Sequence, residues 1–304
     1  MQFPFYRAAT PVVGIDIGSS SIKAVVLTSS EASPDYTLMI PHHDDVVAAL
    51  MQVRKQLPST IKQAVIAVAG TSVMTKMIQM DANLNDEQLE AEIEIEAENL
   101  IPHPLDDVYL DFESMGLADE PSKQNVVLAA CHRDAVDQRV AWVHQGGFEA
   151  NIVDVEGLAL ARAVATDYGD DKPIAVLELG YTKSILVKNG NFGTPEVLEL
   201  AAALPDLEQE LSQSQLVDWC GTLSQLLVRA LSNGMVDEAS DDSCAQLLLV
   251  SGGGRFHGEI LTQLQKRLPM SCQSLVLERW PQGEESHHYG TAYGLALRGF
   301  CGRH

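Results

Sequence analysis

Asp16 closes an apolar run, Val12–Ile17, and is followed by Gly18, Ser19, Ser20 and Ser21 and then by Lys23. The same order of residue types returns in "VLELGYTKS", with Glu178, Gly180, Thr182 and Lys183, and a third glycine turn, "VSGGGRFHG", contributes Gly252, Gly253 and Gly254. A hairpin tipped with Gly, Ser and Thr turns backbone N–H groups and hydroxyls toward one point, where a phosphate is held. Two such hairpins from two lobes would clamp a triphosphate. The acidic residues Asp16 and Glu178 would repel phosphate alone, but would hold Mg²⁺ against it directly or through water. The competing account makes Asp16 a turn residue and each hairpin a tight turn without a ligand; three turns in this order favour the nucleotide. The triple glycine follows an apolar strand and precedes a helix. That suits close backbone approach to adenine or ribose, or an ordinary strand-to-helix turn. Lys23 and Lys183 are phosphate partners or exposed strand residues, the second being expected of Lys183.

Other phosphate chemistry fits less well. A Walker A loop sets Lys directly after Gly, whereas four residues separate Gly18 from Lys23, and the dinucleotide fingerprint G-x-G-x-x-G is absent. Ser19, Ser20 and Ser21 lack the G-x-S-x-G elbow of a nucleophile. Glu156, in "VDVEGLALA", stands either between the lobes as a residue that orients water or as a simple helix-start carboxylate. The run His42, His43, Asp44, Asp45 has metal-ligand residue types but precedes a helix, where capping is the expected role. Cys131, Cys220, Cys244, Cys272 and Cys301 are odd in number and widely spaced, which argues for reduced thiols over a disulfide framework or zinc site.

Strands and helices alternate around these loops. "DDVVAALMQVRKQL" predicts an amphipathic helix ended by Pro58, and "QAVIAVAGTSVMTKMIQM" predicts two strands about Gly70. Asn85 or Asp86 is placed to cap "LNDEQLEAEIEIEAENLI". The strands "DDVYLDFESMGL" and "QNVVLAACHR", the helix "DAVDQRVAWVHQGG", the strand "EANIVDVE" and the helix "GLALARAVATDYG" complete a first half. "KPIAVLELGYTKSILVKNGN" then repeats the arrangement of residues 12–27, so two related lobes are expected. A long helix from Asp206, an acidic loop "VDEASDDS", the strand "QLLLVSGGG" and the helices "GEILTQLQKRL" and "YGTAYGLALRGF" follow.

The 304 residues suffice for a large core, and 46% of them are hydrophobic, which excludes a disordered chain. No apolar run reaches the ~18–20 residues of a membrane helix and no secretory signal is evident, so a soluble cytoplasmic protein is expected. A net charge of −22 works against nucleic acid and anionic lipid as partners.

With these features in place, the chain resembles the actin/sugar kinase/Hsp70 superfamily and is similar to the PilM family of type IV pilus systems. The resemblance rests on "GIDIGSSSIKAVVL", "AVIAVAGTSVMTKMIQM", "EAEIEIEAENLIPHPLDDVYLDF", "VVLAACHRDAVDQRV", "GFEANIVDVEGLALARA", "AVLELG", "LLLVSGGG" and "YGLALRGF", spanning about residues 12 to 300. It implies a mixed α/β, actin-like (ribonuclease H-like) two-lobed ATPase fold with an FtsA-type inserted subdomain. The implied boundaries are an N-terminal segment 1–11, a first lobe of 12–69 and 131–172, the insert at 70–130, and a shortened second lobe of 173–304 whose last helix packs back on the first. It implies ATP and Mg as cofactors, bound by Asp16, Gly18, Ser19, Ser20, Ser21 and Lys23, by Glu178, Gly180 and Thr182, and by Gly252–Gly254, with little turnover. It also implies a partner: the N-terminal cytoplasmic tail of a PilN-like membrane protein, within a PilN/PilO inner-membrane platform linked to the pilus motor. Met77, Ile78, Met80, Tyr109 and Asp111 are the expected peptide contacts.

This chain departs from the family at two places. "ELGY" replaces the D-I-G-A usual at the second turn, lengthening the acid and adding the bulk of Tyr181, and the segment from Lys188 to Gln246 is short. Weakened or lost nucleotide and metal binding is the expectation there. The alternatives are an ATPase or small-molecule kinase with Glu156 as base, and an FtsA-like filament former, against which the missing C-terminal amphipathic helix counts. The expected location is peripheral, on the cytoplasmic side of the inner membrane, with a homo-oligomer left open.

Overall fold

In a computed structural model, residues 11–31, 33–42, 44–118, 120–169, 173–189, 195–204, 212–232, 245–281 and 285–300 are described. They divide into two compact units. One comprises the chain up to Ala67 together with the chain from Trp142 onward; the other is Val68–Ala141.

The larger unit is built from two five-stranded sheets. The first contains β1 (Val12–Ile17), β2 (Ser21–Leu27), β3 (Tyr36–Pro41), β4 (Gln63–Val68) and β8 (Glu149–Val155) in the order β3-β2-β1-β4-β8. The second contains β9 (Ile174–Leu179), β10 (Ser184–Asn189), β11 (Pro195–Leu200), β12 (Leu247–Gly252) and β13 (Ser271–Ser274) in the order β11-β10-β9-β12-β13. The sheets repeat one topology. In each, two antiparallel hairpins lead to a central strand, β1 or β9, and the next strand joins that one in parallel. The central strands are near-continuous apolar runs because they are covered on both faces; β1 is buried throughout, Asp16 included.

Two helices hold the sheets together. α4 (Glu156–Tyr168) and α7 (Gly290–Arg298) contribute Leu160, Ala163, Ala292, Tyr293 and Ala296 to a core that also contains Val25 and Leu27 of β2, Val176 of β9 and Leu249 of β12. Small residues set the spacing. A Cβ on Gly294 would stand 1.8 Å from the Ala159 carbonyl oxygen, and one on Gly14 of β1 would stand 2.2 Å from that of Ala292. Backbone therefore packs on backbone, which places the start of α7 beside the ends of the central strands. The remaining helices are α1 (Val46–Gln56), α5 (Gln213–Ser232) and α6 (His257–Arg267), with α5 and α6 burying Leu216, Leu223, Leu227, Ile260 and Leu264 against the second sheet. α5 begins at Gln213; the Asp206 start expected for it, and the acidic loop after it, lie outside the described residues. Among those residues the second lobe carries no inserted subdomain between its strands.

The smaller unit is a three-stranded antiparallel sheet, β5 (Val73–Asp81), β7 (Lys123–His132) and β6 (Val108–Leu117) in the order β5-β7-β6, with α2 (Asp86–Leu100) on one face. α3 (Arg133–Gln145) straddles the boundary between the units. α2 starts in a capping box: Asn85 accepts from the Gln88 amide at 2.9 Å, and the Gln88 side chain accepts from that of Asn85 at 3.2 Å. Its Leu89, Ile93 and Ala97 pack on Met80, Val108, Val126, Leu128 and Ala130.

Candidate functional site

The two hairpin tips are built alike. Ile17 pairs with Ile22 and Leu179 with Ser184, so residues 18–21 and 180–183 form the connecting turns. Each glycine carbonyl is held from outside its hairpin. His42, just after β3, donates from Nε2 to the Gly18 carbonyl at 2.9 Å and from its backbone amide to that of Ser20 at 3.0 Å. In the second lobe the Leu204 amide donates to the Gly180 carbonyl at 3.1 Å. His42 is thus a brace for the first turn, whereas capping falls to Asp45, which accepts from the Ala48 amide.

The third glycine turn docks on the second. Gly252, Gly253 and Gly254 all have positive φ (72°, 84° and 50°), a conformation suited to residues without a Cβ. A Cβ on Gly252 would also stand 2.3 Å from the Leu179 carbonyl oxygen, to which the Gly253 amide donates at 3.1 Å. Gly180 and the triple glycine therefore meet at the end of β9. A short 3-10 turn, Gly254–Phe256, leads into α6.

Charge concentrates beside these turns. Asp16 and Lys23 face one another across β1 and β2, and Lys23 Nζ lies 3.0 Å from Asp16 Oδ2. Burial works to lower the Lys23 pKa, but the carboxylates of Asp16, Glu178 and Glu156 outweigh it and hold the ammonium above its ordinary range. Glu178 sits two residues before Gly180. Thr291, in the first turn of α7, donates to Glu178 Oε2 at 2.7 Å, while Glu178 Oε1 is buried with no hydrogen-bond partner. Burial pushes the Glu178 carboxyl up to about 7; Lys23 opposes that shift and Asp16 adds to it. Glu156 is the first residue of α4, is itself buried, and lies 3.5 Å from Lys183 Nζ, which also donates to Glu199 at 2.5 Å. Lys183 is therefore a half-buried, ion-paired residue of the second turn, and the expectation of an exposed strand lysine is corrected. Tertiary partners on α4 and β11 draw it in.

The structure thus gathers Asp16, Lys23, Glu178 and Glu156 within electrostatic reach of one another, beside the turns of Gly18–Ser21 and Gly180–Lys183. Sequence reasoning missed Glu199 and Thr291, and it gave His42 a capping role where the structure makes it a brace. Thr291 is 113 positions from Glu178, so no local pattern could have paired them.

The five expected peptide contacts do not share one surface. Ile78 and Met80 point to the α2 side of the smaller sheet, and Met80 is buried in that core. Met77, Tyr109 and Asp111, one strand position out of phase with that set, are exposed. Tyr109 Oη donates to Asp137 at 3.0 Å, and the Arg133 guanidinium lies 4.4 Å from the centre of its ring.

Comparisons with known proteins agree with this architecture. A family profile described as type IV pilus assembly protein PilM matches residues 14–190. Among solved structures, a PilM–PilN type IV pilus biogenesis complex superposes with a TM-score of 0.73 at 19% identity, covering 95% of this chain and 98% of that one. A glycerol dehydratase reactivase gives 0.52 at 10% identity, over 95% and 99% of the two chains. The ethanolamine utilization protein EutJ from Carboxydothermus hydrogenoformans gives 0.51 at 14%, over 94% and 89%. The paired sheets are thus the actin-like fold anticipated from the sequence. No helix among the described residues is long and apolar enough to cross a membrane.

Proposed function

Since the chain belongs to the PilM family of type IV pilus assembly proteins, we propose that it is an actin-like adaptor that binds the cytoplasmic tail of a PilN-like membrane protein and is recruited by it to the inner membrane. The observation that carries this reading is the family match, joined to a likeness covering nearly all of both chains to the PilM of a PilM–PilN complex. An extended tail adds to a sheet edge, gaining main-chain hydrogen bonds, or lies on an open sheet face, gaining side-chain contacts alone. Met77, Tyr109 and Asp111 offer such a face on the smaller unit, a mixed apolar and polar strip, whereas Ile78 and Met80 support it from the core.

The charged cluster is the proposed nucleotide site. The amides and hydroxyls of Gly18–Ser21 and of Gly180, Thr182 and Lys183 would cradle phosphates, and Gly252–Gly254 would admit the adenosine side. Asp16, Glu178 and Glu156 outnumber Lys23 and Lys183, and Glu178 Oε1 is buried without a hydrogen-bond partner. An all-oxygen donor set of this charge fits Mg²⁺, with Asp16 and Glu178 as its holders. Mg²⁺ held there would supply the counter-charge that lets phosphates approach these carboxylates.

The nucleotide is proposed to act as an ordering ligand, not a fuel. Lys23 and Lys183 are already committed to carboxylates, and the one candidate base, Glu156, is paired with Lys183. A ligand that binds only the folded, closed arrangement stabilises it by mass action without turnover. The adaptor reading is tested by fluorescence anisotropy with a labelled peptide from the N-terminal tail of a PilN-like protein of the same organism. Saturable binding, weakened by Tyr109→Ala, is expected; no binding by the folded wild-type protein overturns the reading.

A further inference from the structure

Beside the third glycine turn, the segment between β13 and α7 gathers Glu285, His287 and His288. One ligand atom from each lies within 4.8 Å of the others. His288 Nε2 is 3.1 Å from Glu285 Oε2, and His287 Nε2 is 4.0 Å from the same oxygen, beyond hydrogen-bond reach. A hydrogen bond from His288 to Glu285 accounts for that pair. It leaves His287 unexplained: the residue is only 9% exposed, and its Nε2 is buried with no hydrogen-bond partner.

The surroundings hold His287 in place. Its ring stacks on that of His257, with centroids 3.8 Å apart, and His257 spends both its own nitrogens elsewhere, on the Gly252 carbonyl at 2.8 Å and on Ser274 Oγ at 2.9 Å. Ser251 Oγ donates to the His287 carbonyl at 2.7 Å. The backbone and one ring face are therefore fixed, while Nε2 is directed at Glu285. Tetrahedral zinc, with bonds of about 2.0–2.2 Å, places its ligand atoms roughly 3.3 Å apart. The Glu285–His288 separation is already close to that spacing, His287 Nε2 is less than an ångström too far from Glu285, and the two imidazole nitrogens lie within 4.8 Å of one another.

We propose that Glu285, His287 and His288 form a binding site for a divalent transition metal of the zinc class, through one carboxylate oxygen and two imidazole Nε2 atoms, with a fourth position open to water or a partner's side chain. Two imidazoles and one carboxylate are donors for Zn²⁺ or Co²⁺; Mg²⁺ and Ca²⁺ prefer oxygen alone. Binding needs the His288 proton on Nδ1, so the hydrogen bond to Glu285 is exchanged for the metal bond. The metal would also fix the segment that leads to Thr291, and through it the bond to Glu178.

The test uses the full chain, with any tag removed and metal stripped by a chelator. Zn²⁺ is titrated by calorimetry and Co²⁺ by its visible absorption, each with Mg²⁺ in excess. One ion per chain is expected, with affinity reduced about tenfold or more in His288→Gln and in Glu285→Gln. Both positions have solvent access, so circular dichroism should show both variants folded. His287→Gln is the third variant, read only if its spectrum is unchanged. No binding by wild type, or binding undiminished in both His288→Gln and Glu285→Gln, overturns the proposal.

Discussion

Lys23 Nζ and Asp16 Oδ2 stand 3.0 Å apart across the first hairpin, with the carboxylates of Glu178 and Glu156 acting on the same ammonium. Lys23 thus offsets part of the repulsion among these carboxylates, and Lys183 pairs with Glu156 in addition. Removing a partner from a buried charge group leaves the rest uncompensated, at a cost of about 3–5 kcal/mol. Lys23→Met is therefore expected to lower the urea midpoint sharply, and adding Asp16→Asn should recover part of the loss. A Lys23→Met chain as stable as wild type would contradict the cluster's energetics.

Glu178 sets a pH dependence of defined sign. Its folded-state pKa is raised to about 7, so the folded chain holds that proton more tightly than the unfolded chain does. Stability from this group is greatest at low pH and falls as pH rises from the ordinary glutamate range through about 7. Glu178→Gln abolishes the effect. Compared with wild type, the variant should gain about 1–3 kcal/mol between about pH 5 and about pH 8 in urea titrations. Parallel pH profiles would contradict the assignment.

Gly294 and Gly116 should respond differently to alanine. The Gly294 Cβ would meet backbone at 1.8 Å and must push α7 off α4, whereas Gly116, at φ +94°, has nothing within 4 Å and suffers only conformational strain. Gly294→Ala should cost more than about 3 kcal/mol and Gly116→Ala about 1–2 kcal/mol, measured by thermal melting.

In the smaller unit, Asn85→Ala removes the cap that closes the first turn of α2. A loss of about 1 kcal/mol is expected, seen as faster amide exchange in Val68–Ala141. The same exchange rates across β9 and β12 should not change.

Much of the fold was legible because its central strands are apolar runs broken by glycine, and because the second run repeats the first. Tyr36–Pro41 and Pro195–Leu200 were not legible: both are edge strands, partly exposed and mixed in polarity, with no clean alternation to mark them. The site was half legible. Asp16, Glu178 and the glycines announce themselves by type and spacing, but His42, Glu199 and Thr291 reach the turns from distant elements. Lys183 read as exposed because its partners lie on α4 and β11.

Calorimetric titration of nucleotide-stripped protein with ATP and Mg²⁺ tests the proposed site most directly. One magnesium-dependent site is predicted, lost in Asp16→Ala, with no steady-state phosphate release. Absence of binding by the folded wild-type chain, or binding unchanged in Asp16→Ala, would contradict it.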